Sequence, residues 1–265
     1  MAYWITQFDT TAIAGASANH DIGIPEANAE VMAALGGAFD TRGSEQVAAK
    51  LPYSIQVQGK LVQTSVAALL AAYQTLRALH GKRAKLYRTA DGGTANGEWV
   101  WARLMRVETS RKVENRLALP FTLTFMVESP IWHGTARSTT ITLSSSPATG
   151  TVTNSGNATV RDAIITVTAA GSAITVVDIE NTTTGNVSKI RYTGAIPAGQ
   201  SLVIDCGARS VKVNGADAYA GFSLQAAHAI PEWLRLAAGA NSIRVTRTGG
   251  GTASTCTIAF DDGWA

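Results

Sequence analysis

From Leu117 to Val127 apolar side chains fall on every second residue: Leu117, Leu119, Phe121, Leu123, Phe125 and Val127. A period of two places them all on one face of a β-strand, one side buried and the other open. A strand of this length demands a partner sheet and a core beneath it. The run halts at Ser129-Pro130, because proline has no N–H to give a ladder. Composition changes there as well. A helix and a run of basic residues precede it, and short segments rich in Ser, Thr, Gly and Val follow. The stretch Arg116–Gly134 therefore reads as a domain boundary, closing a first domain of 1–134 and opening a second of 135–265.

The bulk numbers fit two ordinary domains. The chain has 265 residues, 46% of them hydrophobic, and a formal net charge of +3. That charge is too small to argue for nucleic acid by itself. No apolar run approaches the ~18 residues of a membrane span, so no membrane insertion is expected. The start, Met-Ala-Tyr-Trp-Ile-Thr-Gln-Phe-Asp, lacks a basic segment leading into an apolar one. It reads as a protein synthesised in a cytoplasm without a secretion signal. Cys206 and Cys256 both fall in β-like stretches, either facing each other across a sheet or standing as two buried free thiols.

Residues 1–50 show little periodicity and read as a short strand followed by extended loops. Tyr53, Ile55 and Val57 alternate in a strand that ends near Val62, with Gly59 marking a bend or bulge. Thr64-Ser65 then opens the clearest helix. Val66, Leu69, Leu70, Tyr73, Leu76 and Leu79 recur at helical spacing, and Gly81 supplies the stop. One face of this helix is built to bury against a sheet. The other is small and nearly uncharged, a surface suited to being covered by a second protein. Glu98–Glu108 reads as a strand with Trp99, Trp101 and Arg103 on one face and Val100, Ala102 and Leu104 on the other. The first domain is thus α+β with an antiparallel sheet. Between Arg77 and Arg116 ten basic residues face four acidic ones. Trp and Tyr are interleaved as on a nucleic-acid surface, but no RNA- or DNA-binding motif accompanies them. A solvated strand face or an ion-pair belt between subunits is the preferred reading.

The second half holds about ten short β segments. They are Thr139–Leu143, Gly150–Thr153, Ala158–Thr168, Ala173–Glu180, Val187–Tyr192, Ser201–Asp205, Ser210–Val213, Trp233–Leu236, Ser242–Arg247 and Ser254–Phe260. Even spacing and turn residues between them argue for a β-sandwich or barrel. Val211-Lys-Val-Asn-Gly215 is a hairpin signal, and Leu224–His228 reads as a single helical turn.

Catalytic and ligand-binding patterns do not emerge. His20, His80, His133 and His228 lie far apart. No His-Glu-x-x-His, Cys-x-x-Cys, P-loop or Gly-x-Ser-x-Gly occurs. Asp261-Asp262 are neighbours on a strand and point to opposite faces, which disfavours a joint cation site. Asn157, Asn181 and Asn186 match the glycosylation pattern, a frequent chance match. No catalytic, cofactor-binding or metal residue is assigned, no cofactor is expected, and the chain reads as something other than an enzyme.

Three stretches carry a family resemblance. Gly37-Ala-Phe-Asp-Thr-Arg-Gly43 precedes the strand Ser54–Val62 and its helix. Phe125-Met-Val-Glu-Ser-Pro-Ile-Trp132 forms the domain exit. Ala220-Gly-Phe-Ser223 leads to Trp233-Leu-Arg-Leu-Ala-Ala-Gly-Ala-Asn-Ser-Ile-Arg-Val245, with Ala238 where the family usually has proline. In sum they resemble the distal tail proteins of long, non-contractile-tailed bacteriophages. The resemblance implies an N-terminal split β-barrel with a helix, which closes into a homo-hexameric ring. It also implies a C-terminal galectin-like β-sandwich outside the ring. Expected partners are the tail tube protein, the tail hub protein, and tail fibres or receptor-binding proteins. DNA only passes through the lumen, and the location is the distal end of the phage tail in the virion. The loops Asp91–Asn96 and Thr109–Asn115 are the expected ring contacts. The competing reading is a soluble carbohydrate-binding β-sandwich protein, for which Trp233 with Arg235 is the one candidate platform. A polysaccharide-acting enzyme is a third. Trp132 is expected to act as a joint between domains, and Phe125 as core of the first.

Overall fold

The computed structural model describes residues 4–13, 53–89, 97–109, 117–185, 187–225 and 232–265. The resemblance stretch Gly37–Gly43 and the loop Asp91–Asn96 lie outside the described residues, as do nearly all of Thr109–Asn115, His228 and Asn186. Contacts divide the chain into two compact units, Met1–His133 and Gly134–Ala265.

The first unit is an antiparallel sheet with one helix. Its strands are β1 (Trp4–Phe8), β2 (Thr11–Ala12), β3 (Tyr53–Val62), β4 (Arg83–Thr89), β5 (Glu98–Thr109) and β6 (Ala118–Val127). Neighbours run β3–β6–β5–β4–β1–β2. Ten consecutive residue pairs, Tyr53↔Val127 through Val62↔Ala118, join β3 and β6 without a break. The expected bulge at Gly59 is therefore absent. Gly59 stands opposite Phe121, and a Cβ there would lie 2.4 Å from that ring. The glycine makes room for an aromatic neighbour rather than bending the strand.

The alternation on β6 holds from Phe121 to Val127, where Phe121, Leu123, Phe125 and Val127 are buried. It weakens before Pro120, where Ala118 is buried and Leu119 only half-buried. On β5 the two faces separate as expected up to Leu104, and the register against β6 then shifts between Leu104 and Arg106. This bulge leaves Met105 and Arg106 both exposed. The helix, α1 (Val66–Ala78), begins at Ser65, whose hydroxyl accepts from the Ala68 N–H at 3.1 Å. It stops before Gly81, at φ +77°, and its C-terminal turn is tied to β5 because Gly81 N–H donates to Leu104 O at 2.7 Å. Leu69 and Leu76 are its buried residues, and Leu79 just past its end is buried as well.

Trp132 belongs to the first unit. It is 2% exposed and lies under the Arg88 guanidinium, 4.2 Å from the ring centroid.

The second unit is a β-sandwich. One sheet runs β14–β13–β12–β9–β17–β7, built from β7 (Trp132–Thr142), β9 (Ile164–Thr168), β12 (Ser201–Asp205), β13 (Ser210–Val213), β14 (Ala216–Asp217) and β17 (Thr255–Trp264). The other runs β15–β11–β10–β16–β8, built from β8 (Ala148–Asn154), β10 (Ile174–Asn181), β11 (Ser188–Ile196), β15 (Phe222–Gln225) and β16 (Gly239–Gly249). Ile165, Val167, Ile179, Leu202, Val245 and Ile258 are among the side chains filling the core between them. Asn214 and Gly215, at φ 48° and 81°, form the two-residue turn between β13 and β14, the left-handed pair that hairpins favour.

Three expectations need correction here. Leu224 sits in β15 rather than in a helical turn. Trp233–Leu236 contributes only an isolated bridge, Val160↔Leu236. Ala158–Thr168 is a strand only from Ile164 onward. In each case the segment has strand composition, but ladder formation depends on a partner that a single segment cannot reveal.

Candidate functional site

The residues singled out as possible ligands or catalysts have structural jobs. Asp262 is 2% exposed, and its carboxylate takes Arg137 Nε at 2.9 Å and the Ser155 N–H at 2.8 Å. Asp261, the next residue, lies on the half-exposed side. Among the described residues no three His, Cys, Asp or Glu side chains group as metal ligands would. His80 bonds to the Met105 carbonyl at 3.0 Å, and His133 stacks on Trp99 with centroids 4.3 Å apart. Asn181 is fully buried, and its amide donates to Arg235 O and to Asn241 Oδ1. It cannot present itself for glycosylation. Cys206 and Cys256 are free and buried, and burial pushes both thiols up to about 12.

The carbohydrate platform also dissolves. Trp233 stacks on Phe222 with ring centroids 4.6 Å apart, and both pack against the sandwich core. Arg235 is held by Glu232 at 3.2 Å. The outer face of β10, β11 and β16 is charged, but its charges answer one another. Arg191 grips Asp178 through two nitrogens at 2.6 and 2.7 Å, Lys189 adds a third contact at 3.2 Å, and Arg244 meets Glu180 at 2.5 Å. The Arg191 hydrogen bonds, then Lys189, hold the Asp178 carboxyl below the usual aspartate value against the opposing effect of burial.

Among the described residues, large apolar side chains are exposed singly in the second unit, at Ile164 and Tyr219, and in greater number in the first. The helix exposes Val66 at 50% and Leu70 at 55%, and Val62 at the end of β3 adds another 50%. Full burial of such a side chain is worth about 1.5–3 kcal/mol, so roughly half of that is forgone at each. Ala67 and Ala71 are exposed beside them, and from Leu61 to Leu76 the sequence has no acidic or basic residue. A second apolar face lies on β5 and β6, with Trp101 36%, Met105 43% and Met126 39% exposed.

The cations around that second face are matched internally. Arg83 lies over the Trp101 ring at 4.4 Å and bonds both oxygens of Glu128 at 2.7 Å. That pairing lowers the Glu128 carboxyl. Lys85 sits 3.5 Å from the Trp99 centroid, and Arg106 pairs with Glu108 at 2.6 Å. The basic excess seen in the sequence is thus largely spent in cation–π and ion-pair contacts within the unit. The uncharged helix face was legible from the sequence, as was the Trp101 side of β5. Met105 and Met126 were not singled out, because their exposure follows from the β5 bulge and the β5–β6 register.

Comparison with known proteins places this fold in a class. Residues 155–264 match the family described as "Siphovirus-type tail component, C-terminal domain". That match falls within the second unit and makes it similar to a domain of a structural phage-tail component. No curated protein matches the sequence. The fold of the whole chain has a solved counterpart. The solved structure of SPP1 Dit (gp 19.1), described as "a Paradigm of Hub Adsorption Apparatus in Gram-positive Infecting Phages", matches over 98% of this chain and 99% of that one. Its TM-score is 0.60 at 12% sequence identity. The phage P2 baseplate in its activated conformation with Ca is also similar, over 98% of this chain and 90% of that one, with TM-score 0.39 and 9% identity. The second unit is thus similar to a siphovirus-type tail component domain, and the chain as a whole shares the fold of the SPP1 Dit structure.

Proposed function

We propose that this chain is the ring-forming protomer of a siphovirus tail tip. The first domain, 1–134, closes into a hexameric ring that joins the tail tube to the tail hub. The second, 135–265, is a galectin-like sandwich that holds peripheral fibres or receptor-binding proteins. DNA passes through the lumen without sequence-specific contact. The observation that carries the reading is the family match of residues 155–264, within a chain whose fold follows a distal tail protein end to end. The two apolar faces of the first unit, one uncharged and one bordered by paired ions, support it, since a ring protomer must offer unlike surfaces to its two neighbours.

Native mass measurement and negative-stain imaging of the purified chain, alone and with tail tube protein, test this reading. A closed ring of about six copies is the expected result. A monomer that binds neither tube nor hub protein would refute it.

A further inference from the structure

We infer that Trp233–Ala237 is a strap that opens and closes as a unit of its own across one end of the sandwich core, with Asn181 and Asn241 as its latch. The strap belongs to the second unit and stands whether or not the chain forms a ring. An extended segment inside a sandwich ordinarily satisfies its N–H and C=O groups in a ladder. Among the described residues, this one makes a single bridge, Val160↔Leu236, with both bonds at 2.9 Å. Side chains serve other backbone groups of the strap. The Arg235 N–H donates to Ser188 Oγ at 3.3 Å, and the Arg235 carbonyl accepts from the Asn181 amide at 2.8 Å. The Ala237 N–H donates to Asn241 Oδ1, and the Ala237 carbonyl accepts from Asn241 Nδ2, both at 2.9 Å. The Asn154 amide reaches the same carbonyl at 3.3 Å. Asn181 Nδ2 also donates to Asn241 Oδ1 at 3.0 Å, so the two amides brace each other.

Ser188, Asn181, Asn241 and Asn154 come from β11, β10, β16 and β8, consecutive neighbours in one sheet. All four are buried. The segment therefore crosses strand ends instead of running beside a strand, which is why no ladder forms along it. Lifting it breaks one bridge and leaves the ladders of both sheets whole. The asparagine amides uncovered at the open end meet water, which replaces the hydrogen bonds lost. What opposes opening is the burial of Leu234 and Leu236, both fully buried, and the stack of Trp233 on Phe222. These are a small part of the sandwich core. An element held by few core contacts opens at a lower free energy than the whole unit unfolds.

Hydrogen exchange on the full chain tests the strap. The amides of Leu236 and Ala237 report on it, and those of β9 and β17 report on the sheets. In wild-type protein under low urea, the strap amides are expected to show the weaker urea dependence, because lifting the strap exposes less surface than unfolding the unit. Leu202, fully buried opposite Val167, lies in the sandwich core and outside the strap. Leu202→Ala weakens the closed and the strap-open forms alike. It is expected to speed β9 and β17 exchange by about tenfold or more and to leave Leu236 and Ala237 at the wild-type rate. Asn181→Ala weakens only forms in which the strap is closed, and it is expected to speed Leu236 and Ala237 exchange by about tenfold. Equal urea dependence for both sets of amides, or strap exchange that follows Leu202→Ala as closely as β9 does, overturns the separate opening. Strap exchange at the wild-type rate in Asn181→Ala overturns the latch. The urea series needs no variant and decides the matter if either variant fails to fold.

Discussion

Phe125 and Trp132 are both buried, and the sequence suggests different jobs for them. Phe125 is fully buried, its ring centroid 5.0 Å from that of Phe8. Phe125→Ala is expected to destabilise the first unit by about 3–5 kcal/mol, the usual cost of emptying an aromatic site. Trp132→Ala should cost a similar amount, since it removes a buried ring and leaves the Arg88 guanidinium without its stacking partner. Hydrogen exchange read separately over β3, β5 and β6 checks both. A Trp132→Ala protein with unchanged protection there would return the residue to a linking role. In the second unit, Asp178 carries a pH signature. Arg191 and then Lys189 hold its carboxyl below the ordinary value, so the folded protein binds this proton less readily than the unfolded chain. Its stabilisation is complete above about pH 4 and fades as acid brings the pH down through the depressed folded value. Asp178→Asn should therefore be less stable than wild type at neutral pH. The two melting temperatures should converge as pH falls from about 5 to about 2, and parallel melting curves across that range would refute the assignment.

At the level of elements, what could be read from sequence is what is encoded locally. The helix was legible from Ser65 to Gly81 because its cap, its period and its stop lie within one short segment. Ser210–Val213 was legible because a strong turn signal, Asn214-Gly215, follows it. Gly59 was misread because a glycine in a strand has two meanings, a bulge or a close neighbour, and the neighbour here is sixty-two residues away at Phe121. The Met105 bulge, the short strand Phe222–Gln225 and the lone bridge at Leu236 likewise depend on register against distant strands. The helix side of the candidate surface was therefore visible in advance, and its strand counterpart only in part. Gly59 makes the point measurable. Gly59→Ala should destabilise the protein by about 1–3 kcal/mol, the usual range for forcing an extra methyl into a packed site. Adding Phe121→Leu should recover part of the loss, because the clashing atoms are the far ring atoms of Phe121. Additive losses in the double variant would show that the glycine serves another purpose.

At the level of the molecule, an identity of 12% sustains a fold shared from end to end. Few residue choices are therefore demanded by the architecture, and the short motifs that suggested the family are individually weak. What persists is the backbone architecture, which this chain builds around two separate cores. The free cysteines give a way to watch one of those cores alone. Cys206 and Cys256 both lie in Gly134–Ala265, and burial pushes each up to about 12. At pH 8 such a thiol is about one part in ten thousand thiolate, against roughly a quarter for an unperturbed cysteine, and the thiolate is the reactive form. Neither thiol should react measurably with a disulfide reagent in the native protein, and both should react at once in denaturant. Phe125→Ala weakens the first core and should leave that protection in place, whereas Ile258→Ala, which opens a cavity two residues from Cys256 in the sandwich core, should release it. If Phe125→Ala speeds labelling as much as Ile258→Ala, the two cores open as one cooperative unit, and mutations in the first can no longer be interpreted without the second.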